Sequence, residues 1–306
     1  MAGSAQVHHI TAAEAGQRLD RFLRKLLPAV PLGAIFKHLR QGNVRIDGRK
    51  AAPSLRLQEG MALELQARLA PADVAAAPTG PAPAFRGAGP AIVFQDQDLL
   101  VVDKPAGMAS QPGSGQHRTD LVSWLLAAFA DRRTATFAPA PAHRIDRGTS
   151  GLVAIGLSPR GLRGLTAAFR DGAVEKVYLA VVHGVPAPAR GTIDLPLLEQ
   201  PASRADQPKV RVDLRGRPAR TDYQLLAQRE RRALLRVTIG TGRMHQIRAH
   251  LAHLGHPIVG DHRYGSAGQR GDLLLHSSEL RLEHPVTGAP LDLRATAPAS
   301  FPFVSG

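Results

Sequence analysis

The sequence predicts an α+β protein. A small N-terminal helix-helix-strand unit precedes a large unit built on a central mixed, mostly antiparallel β-sheet flanked by helices and loops. Three observations point there. Two leucine-rich stretches near the N-terminus repeat with helical period. A Pro/Ala/Gly-rich segment then interrupts the chain. Beyond it, apolar runs and helical stripes follow without the regular βαβ alternation of a parallel sheet.

In the N-terminal unit, Leu19, Phe22, Leu23, Leu26 and Leu27 fall at i, i+3, i+4, i+7 and i+8, one buried helical stripe. Pro28 and Pro31 end that helix. Leu32, Ile35, Phe36 and Leu39 predict a second helix, closed by Gly42. Val44–Ile46 reads as a strand entering a tight turn at Asp47-Gly48. Pro, Gly and Ala then fill 15 of the 20 positions at 71–90, a composition that cannot bury enough surface to order itself. The expected division is a small unit at 1–70, a linker at 71–90 and a large unit at 91–306.

In the large unit, Ile92–Phe94 and Leu99–Val102 suggest a hairpin around Asp96-Gln97-Asp98. Leu121–Ala130 reads as a helix and Leu152–Leu157 as a strand. Ser158-Pro159 opens another helix, with a capping serine and a proline at its first position. Val174–Val182, Thr221–Ala227 and Ala233–Ile239 are strands. Met244–Leu254 is a helix whose stripe is Ile247, Leu251 and Leu254, stopped by Gly255 and Pro257. Leu273–Glu283 and Pro290–Arg294 pair around Thr287-Gly288.

Composition narrows the chemistry. With 39 basic and 25 acidic residues, the 306-residue chain carries a net charge of +14, which favours a polyanionic partner. Residues 18–50 hold nine Lys/Arg against two acids, half of that net charge in about a tenth of the length. Arg18, Arg21 and Lys25 line one side of the first helix, and Lys37 and Arg40 line the second. One-sided charge of this kind fits phosphate contacts better than a merely solvated surface. There is no cysteine, which excludes disulfides, thiol nucleophiles and Cys-ligated metals. No run approaches a membrane span and the first 17 residues lack a leader pattern, so a soluble, cytoplasmic protein is expected.

Three stretches could carry chemistry. Asp146 stands in His143-Arg144-Ile145-Asp146-Arg147-Gly148-Thr149-Ser150-Gly151, where Arg144 and Arg147 are expected to keep it ionised. An ionised carboxylate can attack a sugar anomeric carbon or an electrophilic ring carbon. Taken alone, an aspartate between arginines is more often a structural ion pair. Tyr178, one of three tyrosines, alternates with Val177 and Leu179 on a strand, where a core role and proton transfer both fit. Arg248 lies beside the buried stripe of its helix, a costly place for a cation unless it meets a carboxylate, and Asp146 is its natural partner. The Gly148–Gly151 turn has no Walker lysine, so an NTPase is rejected. His250, His253 and His256 lack a zinc signature, and no metal is expected.

Together these residues resemble the RluA-type pseudouridine synthases. The matching motifs are Val102–Met108, His143–Asp146 with Thr149–Gly151, Lys176–Ala180, Gly242–His250 and Gly255–Asp261. Residues 16–65 resemble the alpha-L RNA-binding domain that many members carry in front. The pattern looks most like the subgroup acting on large-subunit ribosomal RNA, the synthase C type. The resemblance implies that Asp146 is the catalytic aspartate, that Tyr178 stacks on the base and is a candidate for proton transfer, and that Arg248 pairs with Asp146. It also implies that Arg144 enters the RNA where the uridine is flipped out, and that Val237 or Ile239 floors the base. His245 counts with the RNA-facing residues. The implied reaction isomerises uridine to its C-glycoside and needs no cofactor. The implied partner is RNA, ribosomal RNA first and transfer RNA as the alternative, acted on by a monomer. Two other readings compete. One is a non-catalytic RNA-binding assembly factor. The other is a glycosidase, which needs a second acid, Asp261 or Asp103, within about 10 Å of Asp146.

Overall fold

The structure, a computed structural model, describes residues 6–12, 14–66, 85, 88–112, 119–200, 209–265 and 271–303. Apart from 85 and 88–90, the expected linker at 71–90 lies outside the described residues. The N-terminal unit comprises β1 (Gln6–His9), α1 (Leu19–Leu26), α2 (Leu32–Gln41), β2 (Val44–Ile46), β3 (Arg49–Lys50) and β4 (Ala62–Leu65). Helix α1 buries Leu19, Phe22, Leu23 and Leu26, and α2 buries Ile35 and Leu39. Leu32, expected in the second stripe, opens its helix and is exposed. Gly42 caps α2 in the left-handed region, and Asp47 and Gly48 make the tight turn with φ of 50° and 75°.

One strand was expected here, but the strands form a four-stranded sheet in the order β1-β4-β2-β3. Strand β1 has one large apolar residue, Val7, itself half exposed, so no alternation marks it. Lys37 and Arg40 are exposed on α2, as expected of a basic face. Arg18 is less available: its guanidinium grips Asp20, with Nε and Nη2 at 3.1 and 2.6 Å from the two carboxylate oxygens.

The large unit runs through β5 (Ala91–Gln95), β6 (Leu99–Lys104), α3 (Leu121–Ala128), β7 (Ala140–Pro141), β8 (Ser150–Gly156), α4 (Pro159–Arg170), β9 (Glu175–His183) and β10 (Arg190–Asp194). It continues with β11 (Leu197–Gln200), β12 (Lys209–Val212), β13 (Arg220–Arg229), β14 (Arg232–Ile239), α5 (Gln246–His253), β15 (Leu275–Glu283) and β16 (Pro290–Arg294). The sheet order is β10-β13-β14-β9-β15-β8-β6-β5, with β16 on β15 and β7 on β8. Among the described residues every pairing in this sheet is antiparallel except β15 with β8. One face buries Tyr178, Val237 and Ile239 with Leu125 of α3 and Ile247 and Leu251 of α5. The other buries Leu152, Ala154 and Leu280 against Leu165 of α4.

Register places the site. Tyr178 lies opposite Val237 on one side and Ser277 on the other, and Ser277 lies opposite Gly151. A single row across four strands therefore runs Val237, Tyr178, Ser277, Gly151, with Asp146 just upstream of its end. The parallel approach of β8 to β15 requires glycine at 151. Its φ is 109°, and a Cβ there would lie 2.3 Å from the Ser277 carbonyl oxygen.

Helix α5 starts at Gln246, two residues later than expected, because the side chain of Gln246 organises the turn before it. Gln246 Oε1 accepts from Thr241 Oγ1 at 2.7 Å and from Arg243 N at 3.1 Å, and its Nε2 donates to Arg220 O at 2.8 Å. These bonds leave His245 in the left-handed region at φ 52°. Leu254, expected in the buried stripe, falls at the helix C-cap and is exposed.

Candidate active site

The loop carrying Asp146 is pinned from behind by residues 104–110. Ser110 Oγ donates to Ile145 O at 2.7 Å, and Gly107 N donates to Arg147 O at 2.8 Å. Arg147 Nε returns a bond to Gly107 O at 2.9 Å. The fully buried Lys104 donates to Met108 O at 2.8 Å and to Pro105 O at 3.0 Å. Burial pulls the Lys104 ammonium down to about 8, opposed by the negative charges of Asp146 and Asp103. On the strand side, Thr149 N closes the loop onto Asp146 O at 3.1 Å. His143, stacked on Phe169, accepts from Ala154 N at 3.0 Å.

The cation facing Asp146 is Arg248, not the neighbouring arginines. Arg147 is turned to Gly107, Arg144 is exposed, and among the described residues the charged partner of Asp146 is Arg248, with His245 Nε2 3.7 Å away. The flanking arginines turn to the 104–110 segment and to solvent, whereas α5 aims Arg248 at the carboxylate. Arg248 Nη1 lies 2.9 Å from Asp146 Oδ2. Its Nε and Nη2 grip Asp261 bidentately at 2.8 and 2.9 Å. The Tyr264 ring lies under the guanidinium, 5.3 Å from Cζ to centroid. Burial opposes the charge of Arg248, but the bonds to Asp261 and the attraction of Asp146 outweigh it and raise its pKa further.

Asp261 is the anchor that sequence reading missed in this role. It is 1% exposed and also accepts from Arg263 N at 2.9 Å and Tyr264 N at 3.1 Å. Burial would raise its pKa, but Arg248 and these amides hold it below the usual carboxylate range. A second carboxylate thus does lie near Asp146, on the same guanidinium and within the roughly 10 Å that a glycosidase needs. Asp261 cannot be that enzyme's acid, because it is ionised, buried and fully engaged. Gly260 fixes its backbone at φ 77°, where a Cβ would sit 1.9 Å from Asp272 O. Gly260→Ala is expected to cost at least about 2 kcal/mol in a denaturant melt, from left-handed strain plus the clash. An unchanged midpoint would refute this account of the turn.

Asp146 and Arg248 open onto a cavity of about 300 Å³ lined also by Arg144, Tyr178, Ile239, Met244 and His245. Of the two candidate floor residues, Ile239 reaches this cavity, while Val237 is fully buried in the core. Glu199 of β11 also lines it. A second cavity of about 580 Å³ adjoins it, sharing Arg144, Asp146, His245 and Arg248 and adding Arg147, His262 and Arg263. The carboxylate thus stands between one half-apolar and one basic hollow.

Tyr178 is 7% exposed, and burial, with the nearby Asp146 charge, pushes its phenol up to about 12. It therefore enters any neutral-pH reaction protonated. Burial also draws His245 down to about 4, the pull of Asp146 being countered by Arg248 and Arg263. Tyr264 Oη accepts from Val210 N at 2.9 Å and lies 3.1 Å from His245 Nδ1. A hydroxyl that donates to Nδ1 leaves the Nε2 proton facing Asp146, 3.7 Å away. Turnover is therefore expected to show no His245 or Tyr178 inflection between about pH 6 and 8, checked by single-turnover rates. The sign for stability follows. An unfolded histidine near 6.5 takes up its proton first, so His245 lowers folded stability as pH falls from 6.5 toward about 4.

Both ring nitrogens of His250 are engaged within the fold. Its Nδ1 lies 2.9 Å from Thr221 Oγ1 and its Nε2 lies 3.0 Å from Leu195 O.

Comparison with known proteins gives this arrangement its class. Residues 98–253 match the family model described as RNA pseudouridylate synthase, and residues 17–63 match the S4 domain. The chain belongs to the RNA pseudouridylate synthase family, and it is an isomerase acting on RNA. Ribosomal large subunit pseudouridine synthase C of Vibrio vulnificus is 33% identical, over 95% of this chain and 92% of its own length. The protein of that name from Escherichia coli K12 is 32% identical, over 95% and 93%. Among solved structures, human RNA pseudouridylate synthase domain containing 4 aligns with a TM-score of 0.56 at 27% identity, over 69% of this chain and 90% of that one. Among the described residues, no helix is long and apolar enough to cross a membrane.

Proposed function

We propose that the chain isomerises uridines of 23S ribosomal RNA in the cytoplasm, as a monomer and without a cofactor, with its RNA-binding domain at 1–70 and its catalytic domain at 91–306. One observation carries the site assignment: the Asp146 carboxylate, fixed by Arg248, borders a cavity walled by Tyr178 and Ile239. A uracil ring seated there lies between an aromatic ring and an aliphatic floor. Asp146 is the group that acts as the N1–C1′ bond breaks. The base then turns, C5 bonds to C1′, the C5 proton leaves to solvent and N1 takes a proton. The phenol of Tyr178, protonated at neutral pH, packs on the base and can donate a proton. Arg144, exposed at the rim of both cavities, occupies the stack vacated by the flipped nucleotide, offsetting an unstacking cost of a few kcal/mol. His245 lines both cavities and contacts the RNA beside Asp146.

Mapping pseudouridines in 23S ribosomal RNA from a strain lacking the gene tests the substrate. Specific sites should revert to uridine and return on complementation. Loss confined to transfer RNA would replace the substrate named here. The basic face of the N-terminal domain (Arg21, Lys25, Lys37 and Arg40) contributes phosphate contacts, while Arg18, expected with them, is turned to Asp20. Replacing Lys37 and Arg40 by Ala is expected to flatten the salt dependence of RNA binding by about 0.7 to 0.9 per lost contact. An unchanged slope in filter-binding titrations would remove this face from the RNA.

A further inference from the structure

Arg248 and His245 both face the Asp146 carboxylate, and Tyr264 touches both of them. The Tyr264 ring lies 5.3 Å beneath the Arg248 guanidinium and meets the His245 ring edge-on, with centroids 5.7 Å apart. Its backbone N donates to Asp261 Oδ1 at 3.1 Å, so the turn that anchors Arg248 also holds Tyr264. Its hydroxyl reaches two further groups. Tyr264 Oη accepts from Val210 N at 2.9 Å and stands 3.1 Å from His245 Nδ1. The β11–β12 hairpin seats that hydroxyl. Leu197 and Val210 share a buried cluster with Ala249 of α5, and Tyr264 packs on it. Val210 pairs with Glu199, which lines the cavity. The hairpin that walls the cavity is therefore tied, through one phenol, to the imidazole beside the carboxylate.

Proton counting fixes the direction of these bonds. A phenol has one proton to give. Burial raises the Tyr264 phenol above its ordinary range, so that proton is in place at neutral pH. Val210 N can only donate, which leaves the phenolic proton for Nδ1. At the other end of the ring, His245 Nε2 faces Asp146 Oδ2 at 3.7 Å. A bare nitrogen lone pair turned toward a carboxylate is repelled, so this end carries the ring proton. Both ends demand one neutral tautomer, with Nε2 protonated and Nδ1 accepting. Arg248 Nη1 faces the same oxygen, Oδ2, at 2.9 Å.

We propose that Tyr264 is a positioning residue for the reaction: its hydroxyl, seated by the β11–β12 hairpin, locks His245 in the tautomer that presents the Nε2 proton to Asp146. The proposal rests on Asp146 as the acting carboxylate and adds the groups that orient it. Two donors, Arg248 Nη1 and His245 Nε2, converge on Oδ2, and Oδ1 is left to act on the substrate. At 3.7 Å the imidazole is beyond firm hydrogen-bonding distance, so Arg248 alone holds the carboxylate in the free enzyme. The imidazole bond forms when the uridine closes the site, as catalytic hydrogen bonds commonly tighten on substrate binding. A ring free to change tautomer would instead turn a lone pair to Asp146 for part of the time.

The test uses the full chain and Tyr264→Phe, which keeps the ring beneath Arg248 and removes only the hydroxyl. In nitrogen-15 spectra of the RNA-free protein, the His245 ring, assigned by its loss in His245→Asn, should show Nε2 protonated and Nδ1 bare. In Tyr264→Phe the two shifts should move toward each other as the tautomers mix. At saturating RNA the single-turnover rate of Tyr264→Phe should fall about ten- to a hundredfold, the scale of a misplaced reacting group, while RNA affinity matches wild type. Added to His245→Asn, whose side chain tolerates the left-handed backbone at 245, Tyr264→Phe should slow turnover no further. The melting temperature should drop equally in both backgrounds, because Val210 N loses its acceptor in each. A wild-type ring protonated at Nδ1 would overturn the proposal. So would an unchanged rate in Tyr264→Phe, or an equal rate loss with and without His245. The spectra are read without RNA, so they decide the tautomer whatever the turnover, and an inactive wild type would count against the function proposed above.

Discussion

Asp146→Asn protein is expected to fold and bind RNA as wild type does but to lose turnover by about four orders of magnitude or more, the scale of removing a group that acts on the reacting atoms. The structure says why the two properties separate. Asp146 supplies one of three charge-assisted bonds to Arg248, while the other two run to Asp261. An asparagine keeps the volume and can still accept from Nη1, so Arg248 stays in place. What disappears is the negative charge at the mouth of the cavity. Melting temperature, RNA affinity and single-turnover rate, measured on one preparation, check the prediction. A parallel loss of binding would mean that the carboxylate holds the site together and does no chemistry.

Arg248→Met should damage both fold and activity. The substitution leaves Asp261 buried without its partner, and breaking a buried pair from one side costs about 3–5 kcal/mol. The double variant Arg248→Met with Asp261→Leu should recover much of that stability, because an apolar pair leaves no orphan charge. It should not recover turnover, because Asp146 then has no cation to orient it. Denaturant melts of the two variants read the first effect and single-turnover rates the second. Full stability in Arg248→Met alone would contradict the anchoring role of Asp261.

The parts of the fold written in local pattern were readable in the chain. Helices α1 and α2 follow from leucine spacing, and β8, β9 and β14 follow from dense apolar runs buried on both faces. Short edge pieces escaped. Strand β10, Arg-Gly-Thr-Ile-Asp, has one buried apolar side chain and owes its conformation to pairing with β13. The start of α5 also escaped, because only the three-dimensional reach of Gln246 to Thr241 and Arg220 sets it.

The site was partly legible for the same reason. An arginine at the edge of a buried stripe demands a carboxylate, which identified Arg248 and Asp146 as partners. The assignment of Arg144 and Arg147 as the counter-ions failed, because adjacency in sequence does not fix where side chains point. Tyr264 beneath Arg248, and the anchoring role of Asp261, depend on contacts that no spacing encodes. Gly260, forced by the Asp272 carbonyl, carries the one local trace of that arrangement.

The central claim is that the Asp146 carboxylate isomerises a uridine flipped into the cavity beside Tyr178. Tritium release from RNA labelled at uridine C5 reads this step directly, because the C5 proton leaves only when the base is reattached through carbon. At RNA concentrations that saturate both proteins, wild type should release tritium to the extent of its target sites, and Asp146→Asn should release none above background. Release by Asp146→Asn at a rate near wild type would contradict the account.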